Sequence, residues 1–282
     1  MYFWVINIYG MLNGFLFVYQ TKNKLIIAGK NKKFIIPFYN RICAFEIIRK
    51  WHSYTNSIEP DFIDKKGDLV YNFSKTRKHR IKGADIVMYN TYMPEFLELN
   101  MLYLDTLKLS QGEIIFDLGA YCGLAACLFS KTIGKNGRVV SVEPDILNYY
   151  VLEKNIRDHE LVNVKAINAV VWSRDTDIEV PHKDEKTYKL PAITPLELTR
   201  RLRLKRVDVV KMDIEGSEYH VFETIDEFIE RYSPRFVIKV YHNKDGKIDL
   251  GYFYDIFSKH GYEMEIIKQP QKEKFPLIYA YK

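Results

Sequence analysis

The sequence predicts an α/β fold with a mostly parallel β-sheet, and the second half of the chain carries the pattern that predicts it. From Met93 onward, strand-like apolar runs alternate with segments whose apolar residues recur at helical spacing. Strands joined by helices of this length form right-handed crossovers, which place helices on both faces of a parallel sheet. The last two predicted strands have no helix between them, so we expect an antiparallel hairpin at one edge.

Each element of this region follows from its own pattern: short apolar runs predict buried strands, and longer amphipathic segments predict helices. The predicted strands are residues 113–118, 138–143, 164–171, 207–213, 235–241, 262–268 and 277–282. The predicted helices are residues 124–134, 145–159, 217–232 and 250–261.

Residues 1–96 have a different pattern and predict an N-terminal α/β extension, which leaves residues 97–282 as the main domain. The extension contains a helix-like patch at residues 41–54 and short strand-like runs at residues 24–29, 33–40, 68–73 and 85–90. The first twenty residues are uncharged but include polar residues, so we expect an amphipathic element packed on the protein. Insertion into a membrane and peripheral membrane association through this region are the alternatives.

The positive charge of the chain lies in its first part. Residues 1–110 contain 16 Lys and Arg against 9 Asp and Glu, whereas the remainder has 26 against 27. A basic extension could meet a phosphorylated substrate, an anionic membrane or nucleic acid, or could simply be a solvated surface. The densest basic run, residues 74–83, is expected at a hairpin tip; it has no aromatic residue for base stacking, so nucleic acid is not the expected partner.

The cysteine content predicts a reducing, cytoplasmic setting. The three cysteines, Cys43, Cys122 and Cys127, form no CxxC pair and leave an odd count. The sequence does not predict the oligomeric state.

Candidate site residues follow from the predicted topology, because ligands of such sheets bind at the carboxyl ends of the strands, where the strand order reverses. Asp117, Gly119 and Gly123 end the first strand, and the glycines would let a ligand lie against bare backbone. Glu143 ends the next strand, where a carboxylate can accept both hydroxyls of a ribose. Asn168 ends the third strand.

The glycine turn favours one nucleoside cofactor over another. A dinucleotide needs a G-x-G-x-x-G cradle for its pyrophosphate, but the turn reads GAYCG and Asp117 would repel phosphates. S-Adenosyl-L-methionine has no phosphate and carries an ammonium and a sulfonium, which Asp117 would attract. An NAD(P)-dependent oxidoreductase and a non-enzymatic polyanion- or membrane-binding module remain the alternatives.

A second motif, KMDIEGSE, places Asp213, Glu215 and Glu218 within six positions around Gly216. Carboxylates this close are expected to raise each other's pKa and to hold a cation, a proton or a substrate. For Glu218 the alternative is an acid in the first turn of the following helix. His242 has the chemistry of a general base that could activate a hydroxyl. A divalent metal on the same carboxylates could do so instead, although no metal site is predicted.

The segments FDLGAYCG, VVSVEPD, KNI and above all KMDIEGSE resemble the FkbM family of S-adenosylmethionine-dependent methyltransferases, over residues 97–282. The resemblance implies a class I methyltransferase (Rossmann-like) fold, whose seven-stranded sheet ends in an antiparallel hairpin. It also implies O-methylation of a hydroxyl on a small molecule, glycan or lipid acceptor, including secondary metabolites. Many relatives carry an acid at a position where this chain has Lys239 or Val240. This difference puts the role of that acid in doubt here.

The resemblance also implies the site residues. The implied cofactor-binding residues are Asp117, Gly119, Ala120, Tyr121, Gly123, Glu143, Pro144, Asn168, Ala169 and Asp213. The implied catalytic residues are Asp213, Glu215, Glu218 and His242. Tyr103 lies on a preceding helix that could close over the methionine end of the cofactor.

Overall fold

The computed structural model describes most of the chain, in two compact units. The described residues are 17–21, 24–29, 31–37, 47–48, 55–91, 97–181, 187–242, 245–269 and 275–282. Described residues up to Leu97 belong to the first unit, and those from Glu98 onward belong to the second. The role predicted for the extension stays a prediction.

In the part that the structure describes, the first unit consists mainly of β-strands, with helical residues at 47–48 and 55–57. The strands are β1 (Phe17–Gln20), β2 (Lys24–Gly29), β3 (Lys32–Pro37), β4 (Phe62–Ile63), β5 (Leu69–Asn72), β6 (Arg77–Ile81) and β7 (Ile86–Asn90). The first five form one sheet in the order β1-β2-β3-β5-β4, and β6 pairs with β7 as an antiparallel ribbon. The expectation of a basic hairpin tip at residues 74–83 is therefore wrong, because half of this run, including Arg77, Lys78 and Arg80, is strand β6.

Two expectations for the extension fall largely on residues that the structure does not describe. The predicted element in the first twenty residues lies outside the described part except for strand β1, and the helix-like patch lies outside it except for residues 47–48. Among the described helices, none has the length and apolar character needed to cross a membrane.

The second unit contains a seven-stranded mixed sheet. Its strands are β8 (Ile114–Leu118), β9 (Arg138–Val142), β10 (Val164–Ile167), β14 (Val209–Met212), β15 (Arg235–Lys239), β16 (Glu263–Ile267) and β17 (Leu277–Tyr281). They lie in the order β10-β9-β8-β14-β15-β17-β16. The first five of this order are parallel, and β17 is antiparallel to both neighbours, so the predicted edge hairpin is confirmed.

Helices of this unit lie before and between the strands. They are α1 (Leu97–Leu107), α2 (Leu124–Ile133), α3 (Ile146–Asp158), α4 (Pro195–Arg201), α5 (Glu218–Phe222), α6 (Asp226–Tyr232) and α7 (Leu250–Lys259). Both faces of the sheet are buried, because successive residues of each central strand point to opposite sides and both kinds are apolar. On β8, Ile115 packs in one apolar cluster with Phe129, and Phe116 packs in the other with Phe236.

The structure splits two elements that the sequence predicts as continuous. The strand predicted at residues 164–171 ends at Ile167, because the Asn168 amide donates to the carbonyl oxygens of Glu143 (2.8 Å) and Pro144 (3.0 Å). The helix predicted at residues 217–232 breaks between α5 and α6, where the Thr224 hydroxyl donates to the Ser173 carbonyl at 2.9 Å.

A small three-stranded sheet was not predicted. It has the order β11-β13-β12 and consists of β11 (Val170–Val171), β12 (Thr176–Pro181) and β13 (Thr187–Ile193). Residues 177–180 and 187–190 do alternate polar and apolar side chains, but each run is only four residues long and is followed by a proline, which weakens the strand signal.

Candidate active site

The candidate site lies where the chain reverses its direction across the sheet. From β8 the chain moves outward to β9 and β10, and it then crosses back to β14 on the other side of β8. The carboxyl ends of β8 and β14 therefore diverge into loops on either side of a crevice, which is where sheets of this kind bind ligands.

The turn after β8 is held tightly to the neighbouring strands. The backbone N–H groups of Gly119 and Ala120 donate to the Val142 carbonyl, at 2.9 and 3.0 Å. Gly119 has φ 79°, and a Cβ atom on it would lie 2.0 Å from the carbonyl oxygen of Asp213. Position 119 is therefore a glycine because the turn packs against the end of β14. The sequence predicted a different reason, namely the close approach of a ligand to the backbone.

Gly123 has a similar packing reason. Its φ is 96°, and a Cβ atom there would lie 2.5 Å from Cδ1 of Leu152 on α3. The same helix holds the turn through Asn155, whose side-chain amide donates to the Cys122 carbonyl at 2.8 Å. The KNI segment thus stabilises the glycine turn through a hydrogen bond from α3.

Asp117 pairs with a cation of the protein itself. Its carboxylate is fully buried and lies 3.0 Å from Nζ of Lys211, the residue opposite it on β14. Lys211 also donates to the Gly119 carbonyl at 2.6 Å. Lys211 was not predicted as a site residue, although a lysine inside the apolar run VDVVKMD is an unusual feature of the sequence. Direct contact of Asp117 with a cofactor stays a prediction.

Glu143 is fixed at the carboxyl end of β9. Its Oε2 accepts from the Tyr121 backbone N–H at 2.8 Å, and its Oε1 accepts from the Asp145 backbone N–H at 3.0 Å and from the Asn148 amide at 3.3 Å. Burial raises the pKa of Glu143 to about 7, although these three hydrogen bonds favour the charged form. Tyr121 reaches Glu143 with a left-handed backbone, at φ 49°.

The other residues expected near the cofactor lie around this carboxylate. Asn168 is bonded to the Glu143 and Pro144 carbonyls, so it ties the ends of β9 and β10 together. Ala169 is only 1% exposed and packs in the same apolar cluster as Phe116. Contact of Pro144, Asn168 and Ala169 with a cofactor stays a prediction.

Asp213, at the end of β14, accepts two tyrosine hydroxyls. Tyr103 of α1 donates to its Oδ2 at 3.0 Å, and Tyr241, after β15, donates to its Oδ1 at 2.8 Å. Burial alone would raise the pKa of Asp213, but the charges of Lys239 and Lys211 and the two hydroxyls outweigh it and lower the pKa. The expectation that neighbouring carboxylates raise this pKa is wrong for Asp213, because the lysines dominate.

Glu218 folds back onto the turn that precedes it. Its side chain is fully buried; Oε1 accepts from the Ile214 N–H at 3.0 Å and Oε2 accepts from the Gly216 N–H at 2.8 Å. Burial is the main cause that raises the pKa of Glu218 to about 7. Glu215 is exposed on this turn and has φ 54°. The signature KMDIEGSE therefore encodes a braced turn as well as a set of acids.

His242 lies beside this braced turn. Its carbonyl oxygen is 3.2 Å from where a Cβ of Gly216 would be, and its ring meets Phe275 edge-on with centroids 5.1 Å apart. Nδ1 of His242 is buried and has no hydrogen-bond partner among the described residues. Across the described ranges, no group of three or more His, Cys, Asp and Glu residues is arranged to hold a metal ion.

The fold and the site together define a class of protein. A parallel sheet with one antiparallel strand in this order, an acid at the end of β9 and a glycine turn after β8 are those of the class I methyltransferase fold. The family model described as "Methyltransferase FkbM domain" matches residues 117–264, which is more than half of the chain. The chain therefore belongs to the FkbM methyltransferase domain family, as the sequence motifs predicted.

Solved structures with a similar fold include several methyltransferases. A methyltransferase FkbM from Methylobacillus flagellatus KT is 23% identical, with a TM-score of 0.48 over 63% of this chain and 45% of its own. A precorrin-6y C5,15-methyltransferase from Geobacter metallireducens GS-15 is 18% identical, with a TM-score of 0.45 over 67% of this chain and 90% of its own. No curated protein sequence matches the chain.

Proposed function

We propose that the chain transfers a methyl group from S-adenosylmethionine to a hydroxyl oxygen of a small molecule, glycan or lipid. The observation that carries this proposal is the buried Glu143 carboxylate at the end of β9, which the Tyr121 N–H of the glycine turn holds in place. Family membership supports it. The cysteine count supports a cytoplasmic setting.

The residues present fit this cofactor. A carboxylate offers about four lone-pair positions, and three donors already occupy Glu143. One position is left, so we expect Glu143 to accept one ribose hydroxyl and not both. The negative charge of Asp213 suits the positively charged methionine end. When bound, S-adenosylmethionine supplies an electrophilic methyl group on its sulfonium.

Among the proposed catalytic residues, His242 is best suited to take the proton of the acceptor hydroxyl. Asp213 has a lowered pKa and both its oxygens accept tyrosine hydroxyls, which makes it a poor base. Both oxygens of Glu218 hold the backbone of its own turn. The buried Nδ1 of His242 has no partner within the described chain, so an incoming hydroxyl could become its partner.

Asp213 instead acts as a positioning residue. Its two hydrogen bonds join helix α1, through Tyr103, to the segment after β15, through Tyr241. Holding these elements together fixes the walls of the crevice at the end of β14, and such positioning is the main requirement of an in-line methyl transfer.

Calorimetry and a methyl-transfer screen test this proposal. We expect the chain to bind S-adenosylmethionine, and Glu143→Ala to weaken binding at least tenfold. With cofactor carrying a labelled methyl group, hydroxylated glycans and lipids are screened for label transfer. His242→Gln should retain cofactor binding and lose transfer by about 10²–10⁴-fold, the usual contribution of a general base. Binding of a nicotinamide dinucleotide instead would contradict the proposal.

A further inference from the structure

Two lysines of the first unit converge on one buried residue. Lys32, at the start of β3, donates from Nζ to Oγ1 of Thr55 at 3.0 Å. Lys82, just after β6, donates from Nζ to the carbonyl oxygen of the same residue at 2.8 Å. Thr55 is 1% exposed, and both lysines are half-buried. Two ammonium groups from separate strands therefore meet at one protected place.

No carboxylate neutralises these two lysines within the part of the chain that the structure describes. The adjacent residue shows the contrast. Lys33 points to the opposite face of β3, and its Nζ lies 2.5 Å from Asp64 and 2.7 Å from Asp68. One face of the strand thus carries a neutralised lysine, while the lysine on the other face has a threonine hydroxyl as its side-chain partner among the described residues.

Within the described ranges, no acidic side chain balances the positive charge of Lys32 and Lys82. Burial, and next the charge of Lys82, lower the pKa of Lys32. Two like charges that repel each other in a partly desolvated place are unfavourable by themselves, and a bound anion would relieve both effects.

We propose that Lys32 and Lys82, beside Thr55, form a binding site for a phosphate group. A doubly charged phosphate matches two ammonium groups for which the described part of the chain supplies no carboxylate. Each lysine is a compact donor that can bind a separate phosphate oxygen, whereas a planar carboxylate is better matched by the fork of an arginine. A phosphorylated small molecule and a phosphorylated lipid head group share this chemistry. The proposal is independent of the proposed methyl transfer.

Titration of the full chain with inorganic phosphate, followed by calorimetry, tests the site. We expect Lys32→Gln and Lys82→Gln each to weaken phosphate binding at least tenfold. Lys65→Gln removes an exposed lysine of the same unit and should bind as the wild type does. Lys82→Arg keeps the charge and should retain binding. Equal affinities in all five proteins, or no binding by the wild type, would overturn the proposal.

A second arm separates the two sources of phosphate. Vesicles of phosphatidylcholine with and without phosphatidic acid are sedimented with the same proteins. Binding that needs phosphatidic acid and both lysines identifies a lipid head group as the ligand, whereas binding of free phosphate alone identifies a phosphorylated small molecule. Vesicle binding that Lys32→Gln and Lys82→Gln leave unchanged would count against the site.

Thermal unfolding guards against a variant that merely fails to fold. Phosphate should raise the melting temperature of the wild type and of Lys65→Gln, and it should not raise that of Lys82→Gln. In phosphate-free buffer we expect Lys82→Gln to melt as a folded protein, because removing one of two repelling charges offsets the lost hydrogen bond. An equal rise in every protein would contradict the proposal.

Discussion

At the scale of single residues, two lysines set the charge of the candidate active site. Lys211 is buried between β8 and β14 and neutralises Asp117, and Lys239 is 7% exposed and helps to lower the pKa of Asp213. Two of the acids that the sequence marks as cofactor ligands, Asp117 and Asp213, therefore have their charge partly balanced by lysines of the protein itself. The net charge of the site is therefore less negative than its acidic residues alone indicate.

This balance predicts a specific stability effect. Asp117→Asn leaves the Lys211 ammonium buried and unpaired, so we expect the free energy of unfolding to fall by about 3–5 kcal/mol. The double variant Asp117→Asn/Lys211→Met removes both charges and should recover most of this loss. Urea denaturation followed by circular dichroism measures the three proteins.

The exposed pair of Asp177 and Lys189, 3.1 Å apart, provides the matched control. Asp177→Asn should change stability by less than about 1 kcal/mol. If Asp117→Asn instead unfolds like the wild type but loses cofactor affinity, Asp117 contacts the cofactor directly, as the sequence suggests.

At the scale of elements, Glu218 couples the end of β14 to the start of α5. Its two oxygens hold the N–H groups of Ile214 and Gly216, which spans the turn where Glu215 and Gly216 have positive φ. The sequence predicts Glu218 to be one of three catalytic acids. In the structure it fixes the shape of the loop that carries the other two, Asp213 and Glu215.

The raised pKa of Glu218 predicts a pH dependence of stability. The folded pKa is about 7, whereas an unfolded glutamate titrates near 4.3. The folded state therefore holds the proton more tightly, and this stabilisation is complete below about pH 4 and is lost as the pH rises to about 7. Between these values we expect Glu218 to contribute a fall of about 1–3 kcal/mol in the free energy of unfolding.

Urea unfolding at several pH values isolates this contribution. Glu143 has a pKa raised in the same way, so the wild type should lose stability through two groups. Glu218→Gln should flatten the difference across this window, whereas Glu179→Gln, at an exposed position of β12, should follow the wild type. Parallel curves for Glu218→Gln and the wild type would refute the assignment.

The sequence predicted the elements of the main sheet well, because their apolar runs are buried on both faces. The strand β8 and the helix α2 lie within one residue of the predicted bounds. Hydrogen bonds from polar side chains to distant segments of the chain were not predictable. The break after Ile167 depends on which carbonyls the Asn168 amide reaches, and periodicity carries no information about that.

In the candidate site, too, some features were predictable from the sequence and others were not. The acid at the end of β9 and the acids after β14 follow from strand ends and motif, and the structure brings them to the same edge of the sheet. The partners of these acids come from elsewhere in the chain. Tyr103 is 110 positions before Asp213, so no local pattern in the sequence connects the two.

At the scale of the whole molecule, each of the two units has its own buried residues and its own proposed ligand. Phe34 and Ile58 are fully buried in the first unit, and Phe116 and Phe236 are fully buried in the second. If S-adenosylmethionine binds at the strand ends of the second unit, its stabilising effect should be strongest there. Hydrogen exchange resolves this along the chain.

We therefore expect cofactor at 100 times its dissociation constant to stabilise the cofactor-binding unit by about 2.7 kcal/mol. Amide exchange should slow in residues 114–123, 138–148 and 209–218, because these segments carry the turn, the Glu143 carboxylate and the braced loop. Strands β2 and β3 belong to the other unit and should exchange at unchanged rates. Glu143→Ala, measured in the same way, should lose the protection while keeping its cofactor-free exchange pattern outside residues 138–148. Protection confined to the first unit would show that the cofactor does not bind at the strand ends, and would contradict the proposed site.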